Sequence, residues 1–418
     1  MSNNNHLHLL FACDSFKGTI SSARTGELLT AAAARELPGA TCRAVEVADG
    51  GEGTVAAVVA ATGGGLATVE VAGPLGEPAR ASYGLLPGGR AVIEMAAASG
   101  LPLVPAELRD PRRTSTFGTG QLIEDALARG VRDVSLAIGG SATNDGGMGM
   151  ARALGARLLD DKGCELAGCG EDLAHVAAID LAGLDPRVRE ARFHVMCDVD
   201  NPLVGPRGCA AVFSPQKGAS PEVVTQLEQG MRSYAAVLEQ TFGRPVADVP
   251  GAGAAGGLGA AALCYLDAEL VPGIEQVLDL VGFDGLLASS DLCVTGEGHA
   301  DAQSVHGKVV SGVAARCRRA GIPCVAIVGG MDADATELLA CGVDALVPTV
   351  LEPCSVEDVL AHAERNFSLA ADRTFALVRV GMQTQGVLPR VGQQTRGSTP
   401  CVCTPWCPAA TELGPGAP

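Results

Sequence analysis

The chain has 418 residues and is 47% hydrophobic, so it is long enough for two domains and apolar enough to bury a core in each. Its formal net charge of -17 argues against a nucleic-acid partner, because proteins bind the phosphate backbone through an excess of lysine and arginine. No apolar run reaches the ~20 residues of a membrane span and the scattered cysteines indicate reduced thiols, so we expect a cytoplasmic protein without a membrane partner.

Two strand–loop–helix units are predicted at the N-terminus. The apolar run 7–12 predicts a strand followed by a helix over 23–37, and the run 41–47 precedes a helix over 54–61. This alternation is typical of a parallel sheet, whose ligands bind at the carboxyl ends of the strands. The polar residues at these two ends are Asp14, Ser15, Lys17, Asp49 and Glu52. We expect them to bind a ligand; for the first strand end the alternative is a surface loop with a capping side chain.

The pattern changes over 66–95, where short alternating runs separated by glycine and proline turns predict antiparallel strands and a second domain. Further along, a glycine-rich loop over 139–147 separates the apolar strand 134–138 from a predicted helix over 148–159. Such a loop can bring backbone N–H groups close to a phosphate at a helix start, although the alternative is an ordinary strand-to-helix turn. The candidate phosphate-binding residues are Gly139, Gly140, Ser141, Thr143, Asn144 and Asp145.

Two aspartates follow the predicted strand 193–197. Asp198 and Asp200 flank one residue, so their carboxylates point the same way if the chain stays extended. Paired carboxylates can hold a metal ion or share the work of a general base, whereas the alternative is a turn before Asn201. The pair is therefore a candidate metal site.

A formal dinucleotide-binding fingerprint, Gly-Ala-Gly-Ala-Ala-Gly, occupies residues 251–256 and precedes a predicted helix over 258–266. The run 246–249 before it contains an aspartate and is followed by a proline, so it makes a poor central strand. We therefore favour a helix start of small residues that packs against a neighbouring element.

The C-terminal part resumes the parallel α/β pattern. The run 291–295 predicts a strand that leads to Glu297, Asp301 and Lys308, and helices and strands alternate again up to a last predicted helix over 357–380. We expect the N- and C-terminal parts to form one Rossmann-like parallel-sheet domain, with a second α/β domain inserted between them. The predicted bounds are 1–66 and 284–382 for the first domain, 67–283 for the insertion, and 383–418 for a disordered tail.

Six motifs occur together in the chain. They are Asp14-Ser-Phe-Lys-Gly18, Ala48-Asp-Gly-Gly-Glu-Gly-Thr54, Gly139-Gly-Ser-Ala-Thr-Asn-Asp-Gly-Gly147, Cys197-Asp-Val-Asp-Asn-Pro-Leu203, Pro215-Gln-Lys-Gly218 and Thr295-Gly-Glu-Gly298. In this set and order the chain resembles the type-1 glycerate kinase family. The resemblance implies ATP-dependent phosphorylation of D-glycerate, at the 2-hydroxyl in preference to the 3-hydroxyl, in a cleft between the two domains. It departs from the family at His299, where Arg is usual, and at Ala302, where Gly or Ser is usual.

The resemblance suggests a role for each candidate. Phosphoryl transfer needs a phosphate cradle, Mg²⁺, a neutralising cation and a group that orients the acceptor hydroxyl. Because the chain has no Walker sequence, we hypothesise that the 139–147 loop, Lys217 and Lys308 bind ATP. Asp198 and Asp200 would hold Mg²⁺. The residues assigned to the substrate are Asp14, Ser15, Lys17, Asp49, Glu52 and Asp301, and those assigned to catalysis are Lys17, Asp198 and Glu297.

We expect a monomer or a homodimer whose ligands are D-glycerate and ATP. Two other functions stay open at this point. The 251–256 fingerprint could serve an NAD(P)-dependent oxidoreductase of a small hydroxy acid. The departure at His299 would also fit a protein that binds a sugar acid without turning over ATP.

Overall fold

Strands and helices alternate along most of the chain, as its apolar periodicity predicts. The computed structural model describes residues 6–16, 18–301, 304, 307–350 and 355–384. In chain order the strands are β1 (His8–Cys13), β2 (Thr41–Ala44), β3 (Gly65–Ala72), β4 (Pro78–Leu86), β5 (Arg90–Glu94), β6 (Asp133–Ala137), β7 (Arg157–Leu159), β8 (Ala178–Asp180), β9 (Arg192–Met196), β10 (Glu269–Val271), β11 (Leu292–Ala300), β12 (Cys324–Met331) and β13 (Ala345–Pro348).

The helices connect these strands and cover the sheets. In chain order they are α1 (Ser22–Glu36), α2 (Thr54–Thr62), α3 (Ala96–Ser99), α4 (Phe117–Ala128), α5 (Met148–Ala153), α6 (Cys209–Phe213), α7 (Pro221–Phe242), α8 (Ala254–Tyr265), α9 (Gly273–Leu280), α10 (Phe283–Leu287), α11 (Val309–Ala320), α12 (Leu338–Cys341), α13 (Val356–Ala361) and α14 (Ala363–Thr384). In the described part of the chain, none of them is long and apolar enough to cross a membrane.

The first sheet is built from both ends of the chain. Its strand order is β13-β12-β11-β1-β2, and every neighbouring pair is parallel. Strands from the N-terminal and C-terminal parts are therefore hydrogen-bonded to each other, which confirms the predicted Rossmann-like domain with an insertion. Parallel strands place all their carboxyl ends on one edge of the sheet, where loops of this domain collect polar side chains.

The second sheet lies within the inserted part and has the order β10-β9-β6-β5-β4-β3. Strands β3, β4 and β5 pair antiparallel, as the short alternating runs predict, whereas β5, β6, β9 and β10 pair parallel. A two-stranded antiparallel pair, β7 with β8, stands beside this sheet. The insertion is thus an α/β unit with a mixed sheet, and the bounds that we predict for it stay predictions.

Apolar packing joins the two sheets. One core cluster lies between α9, α10, α11 and the first sheet, and it also contains Val92, Ala137 and Met196 from the strands of the second sheet. The opposite face of the first sheet is covered by α1 and α14, where the rings of Phe16 and Phe367 meet edge to face at 5.1 Å between centroids. The two domains therefore share buried apolar surface next to the cleft that separates their polar loops.

Two predicted helices differ from the structure. The helix predicted over 148–159 ends at Ala153, because Gly155 takes a left-handed conformation with φ +96°, and residues 157–159 form β7. The predicted last helix is divided at His362 into α13 and α14. Residues 383 and 384 of the predicted tail belong to α14, and the remainder, 385–418, lies outside the described residues.

Candidate active site

A cavity of about 840 Å³ opens at the carboxyl ends of β1, β11, β12 and β13. Because the strands are parallel, loops from distant parts of the sequence meet at this edge of the sheet. Six of the residues predicted for the site line it, namely Asp14, Ser15, Asp49, Glu297, Asp301 and Lys308. The structure therefore brings together side chains from the N-terminal and C-terminal parts of the chain.

Glu297 is the most buried carboxyl group of the cavity, with 6% of its surface exposed. Its Oε1 has no hydrogen-bond partner among the residues that the structure describes. Burial raises the pKa of Glu297 to about 7; the charges of Asp14 and Asp301 act in the same direction, and Ser304 and Lys308 oppose it. A carboxyl group with this pKa can take up or release a proton near neutral pH, which is what a general base requires.

Lys308 supplies positive charge to this otherwise acidic cavity. Its Nζ lies 3.7 Å from Oδ1 of Asp301, which also accepts hydrogen bonds from the backbone N–H and the Oγ of Ser304 at 3.0 and 3.3 Å. Lys308 is the residue immediately before α11, so the positive end of the helix dipole lies at the same place. This corner of the cavity can neutralise an anionic group such as a phosphate.

Asp198 and Asp49 bring a second pair of carboxylates to the cleft between the domains. Oδ1 of Asp198 accepts a 2.8 Å hydrogen bond from the N–H of Gly273, and a Cβ built on Gly307 would lie 3.5 Å from this oxygen. Although Asp198 keeps surface exposed to the cleft, the surrounding protein raises its pKa to about 6, and the charge of Asp49 adds to the shift. A carboxylate whose ionisation is disfavoured by a neighbouring carboxylate is suited to sharing a cation with that neighbour.

The glycine-rich loop 139–147 comes from the inserted domain and contacts the loop after β2. A Cβ built on Gly139 would lie 3.5 Å from Cα of Gly51, whose N–H donates to Oδ1 of Asp49 at 3.2 Å. The loop therefore reaches the same cleft as Asp49 and Asp198, as the predicted convergence requires.

Lys217 stabilises this loop from behind. The side chain is buried, and its Nζ donates hydrogen bonds to Oγ of Ser141 at 2.8 Å and to the carbonyl oxygen of Thr143 at 2.6 Å. Burial lowers the pKa of Lys217 to about 8. Nearby, Oγ1 of Thr143 and both amide atoms of Asn144 have no hydrogen-bond partner among the described residues. A buried cation and unpartnered polar atoms lie together here, a combination that suits an anion.

Asp145 has a structural role in the same loop. Its carboxylate accepts hydrogen bonds from the N–H and Oγ1 of Thr116 at 2.7 and 2.8 Å, and from the N–H groups of Gly147 and Gly149 at 3.0 and 3.1 Å. The residue is fully buried, so these four bonds compensate the loss of water around the charge. Asp145 ties the start of α4 to the start of α5 and is surrounded by protein donors.

Some predicted residues are not brought into the cavity. Asp200 is exposed and forms a 2.6 Å ion pair with Nη2 of Arg207, because the strand ends at Met196 and the alternation assumed for the two aspartates does not continue. Glu52 is exposed in the loop before α2 and does not line the cavity. Lys17 and Ala302 lie outside the described residues.

Sequence reasoning missed two features of the site. Oε1 of Glu94, at the end of β5, accepts a 2.7 Å hydrogen bond from the N–H of Val55, so a residue of the inserted domain caps α2 of the first domain. The far side of the cavity is apolar and includes Val356 and Leu360 of α13. Their spacing of four residues on one helix face was a usable signal, but it is also the pattern of an ordinary packed helix.

Buried carboxylates, a lysine at a helix start and a glycine-rich loop in a cleft between two α/β domains define an enzyme site for small anionic substrates. The sequence model of the glycerate kinase family matches residues 9–379. The chain therefore belongs to the glycerate kinase family, and it is a kinase whose phosphate donor is ATP.

Individual relatives agree with this assignment. The chain is 46% identical over 358 residues to the glycerate kinase of Bacillus subtilis (strain 168), covering 85% of this chain and 94% of the relative. It is 42% identical over 381 residues to the glycerate 2-kinase of Escherichia coli (strain K12), covering 91% of this chain and 100% of the relative. A crystal structure of a glycerate kinase 2 from Salmonella typhimurium LT2 has a TM-score of 0.83 and 43% identity, and it covers 91% of this chain and 100% of that one.

The two alternative functions are wrong, because the family is one of kinases. The fingerprint at 251–256 is explained by close packing of backbone. Gly256 has φ +69°, its carbonyl oxygen accepts a 2.9 Å hydrogen bond from the N–H of Gly146, and a Cβ on it would overlap the carbonyl oxygen of Thr143. These glycines seat α8 against the 139–147 loop, as the preference for a packed helix start predicts.

Proposed function

We propose that this chain transfers the terminal phosphoryl group of ATP to D-glycerate and forms 2-phosphoglycerate. The observation that carries the proposal is the convergence of Glu297, Lys308, Asp49 and Asp198 with the 139–147 loop at one cleft, which matches the requirements of phosphoryl transfer. The names of the relatives support glycerate as the acceptor, and the E. coli relative is named a glycerate 2-kinase.

Asp198 and Asp49 are our proposed ligands of Mg²⁺. The fit follows from their chemistry: carboxylate oxygens are the ligands that Mg²⁺ prefers, and the mutual repulsion of this pair is relieved by a cation. Bound Mg²⁺ would neutralise charge on the phosphates of ATP. Asp200 is left out of this assignment because Arg207 already neutralises it in solvent.

Glu297 is our proposed general base for the acceptor hydroxyl. Its pKa of about 7 lets it be ionised in a large fraction of the molecules at neutral pH and still accept a proton, and its Oε1 has no described protein donor. Asp14, Asp49 and Asp301 are close enough to the same cavity to accept hydrogen bonds from the hydroxyl groups of glycerate. Ser15, together with Lys17 outside the described residues, stays our assignment for the glycerate carboxylate.

The cations are assigned by their location. Lys308 lines the cavity and can contact a phosphate directly. Lys217 is buried behind the 139–147 loop, where its hydrogen bonds to Ser141 and Thr143 hold loop atoms in place, so we assign it as a positioning residue. The loop itself would present backbone N–H groups to a phosphate.

The proposal is tested with purified full-length protein by following ADP release with D-glycerate, L-glycerate, other small hydroxy acids and buffer alone. We expect turnover with D-glycerate, and the product is identified by ³¹P NMR against authentic 2- and 3-phosphoglycerate. Formation of 3-phosphoglycerate would contradict the 2-hydroxyl assignment, and ADP release that does not depend on glycerate would contradict the acceptor itself.

A further inference from the structure

The cavity has two ends of different chemistry. Carboxylates and Lys308 line the end near β1 and β11, whereas the end near β12 and β13 is lined, apart from Thr349, by apolar side chains. We call these side chains the apolar lobe; they are Met331, Pro348, Val350, Val356, Leu360 and Ala363. Neither Asp, Glu, Lys nor Arg is among the residues of the lobe, so it is unsuited to a charged carboxylate or phosphate.

Helix α13 forms one wall of the lobe with an unusually exposed apolar face. Val356 is 75% exposed and Leu360 is 52% exposed, and Val359 lies on the same face three residues after Val356. Large apolar side chains that face a shared cavity, instead of standing singly on the surface, indicate a ligand that removes them from water.

Backbone forms the floor of the cavity between the two ends. Gly298, Gly329 and Gly330 line it, so at these positions the cavity is bounded by backbone. The absence of side chains from these three positions lets a flat group lie directly on the strand ends. A small aliphatic acid such as glycerate cannot cover such a surface, whereas a planar aromatic ring can stack on it.

The order of the strands places the remaining groups in a line. From β13 the edge of the sheet runs through β12, β11 and β1 to β2, so the lobe is followed by Glu297 and Lys308, then Asp14, then Asp49. Adjacent strands are ~4.8 Å apart, so this row spans roughly 19 Å, which suits an extended nucleoside triphosphate. A base in the lobe would direct its phosphates over Lys308 and the start of α11 toward Asp49 and Asp198.

We propose that the apolar lobe binds the adenine ring of the nucleotide and that Val356 and Leu360 cover it. This inference rests on the proposed function for its phosphate donor, and it adds the location and direction of the nucleotide in the cleft. The acceptor would then share this stretch of the cavity with the phosphates and approach the terminal phosphate from the side of Asp14, Ser15 and Glu297.

The test uses the full-length variants Val356→Asp and Leu360→Asp, with Leu377→Asp as the matched control. Leu377 is 71% exposed on α14 and does not line the cavity, so it reports the effect of an added surface charge alone. A carboxylate against the ring should raise the KM for ATP by about tenfold or more. The KM for D-glycerate and the kcat should stay within about twofold of the unmodified protein, as they should in the control.

Binding of ADP without glycerate, measured by calorimetry, gives a second readout that does not depend on turnover. We expect weaker ADP binding in both lobe variants and unchanged binding of inorganic tripolyphosphate, which has no base. Unchanged KM for ATP and unchanged ADP binding in the lobe variants would overturn the inference while leaving a working kinase. Absence of any ATP-dependent turnover in the unmodified protein would instead overturn the proposed function.

Discussion

Lys217 donates a 2.8 Å hydrogen bond from Nζ to Oγ of Ser141, which lies 76 residues earlier in the chain, and both side chains are buried. The bond fixes the 139–147 loop to the segment after α6. Its physical consequence is that the shape of the loop depends on a lysine that does not line the cavity. The site therefore extends beyond the residues that would touch substrate.

Replacing this lysine tests that dependence. Lys217→Met leaves Oγ of Ser141 and the carbonyl oxygen of Thr143 without their ammonium donor, so the free energy of unfolding should fall by ~1–3 kcal/mol. We expect kcat/KM to fall by at least about tenfold, because a displaced loop no longer orients the reacting groups. Urea denaturation and steady-state kinetics measure the two effects. Lys162→Met, at an exposed lysine, is the control, and equal behaviour of the two variants would contradict the role.

Glu297 sets the expected pH dependence of activity. Burial raises its pKa to about 7, and a general base acts in its ionised form, so kcat/KM should rise with pH up to about 7 and then level off. Glu297→Gln should reduce kcat by about 10²- to 10⁴-fold and remove the acidic limb of the profile. The control variant Glu239→Gln, at an exposed carboxylate of α7, should keep both the kcat and the acidic limb of the unmodified protein. An acidic limb that persists in the residual activity of Glu297→Gln would assign the base to another group.

The carboxylate pair of Asp198 and Asp49 predicts a pH-dependent effect of Mg²⁺ on thermal stability. The pKa of Asp198 is raised from 3.8 to about 6, so between these values the folded state binds more protons than the unfolded state and loses stability as the pH rises. Mg²⁺ binds the ionised form and offsets this loss. Added Mg²⁺ should therefore raise the Tm more at pH 7 than at pH 5, as differential scanning fluorimetry would measure.

Two asparagine variants distinguish the Mg²⁺ ligands that we propose, Asp198 and Asp49, from the pair predicted from the sequence, Asp198 and Asp200. Asp198→Asn should abolish the Mg²⁺-dependent rise in Tm. Asp200→Asn should retain it, because Asp200 is exposed and paired with Arg207. Loss of the Mg²⁺ effect in Asp200→Asn would restore that residue as a metal ligand.

We expect the buried side chain of Arg316 to stabilise the packing of α11, the helix that begins after Lys308 of the cavity. It is 7% exposed, and its guanidinium contacts carboxylates of Glu275, Asp279 and Asp284 at 2.6 to 3.0 Å, which joins α11 to α9 and α10. Arg316→Met should lower the free energy of unfolding by roughly 1–3 kcal/mol, because it removes several charged hydrogen bonds at once. Arg319→Met on the exposed face of α11 is the control in urea denaturation. Similar urea midpoints for Arg316→Met and Arg319→Met would show that the ion pairs of Arg316 contribute nothing to the free energy of unfolding.

The sequence was sufficient for the fold because apolar runs and strand-end motifs are local signals. Asp14, Asp49 and Glu297 were predicted to lie together because each follows or ends a predicted strand, and the parallel sheet places all three along one cavity. Asp200 was misplaced because two-residue alternation holds only while a strand continues, and β9 ends at Met196. The support that Lys217 gives from behind the loop depends on tertiary packing, which no local pattern encodes.

The first sheet places β1 between β2 and β11, so β1 is made early while one of its two neighbours, the central strand β11, is made very late. During synthesis on the ribosome, the second sheet can pair once residue 271 has emerged, whereas the first sheet must wait for the last third of the polypeptide. A nascent chain stopped before β11 would carry β1 with an open edge, and of the residues that line the cavity it would contain only Asp14, Ser15, Phe16, Thr19 and Asp49. Activity should thus appear only when translation is nearly complete.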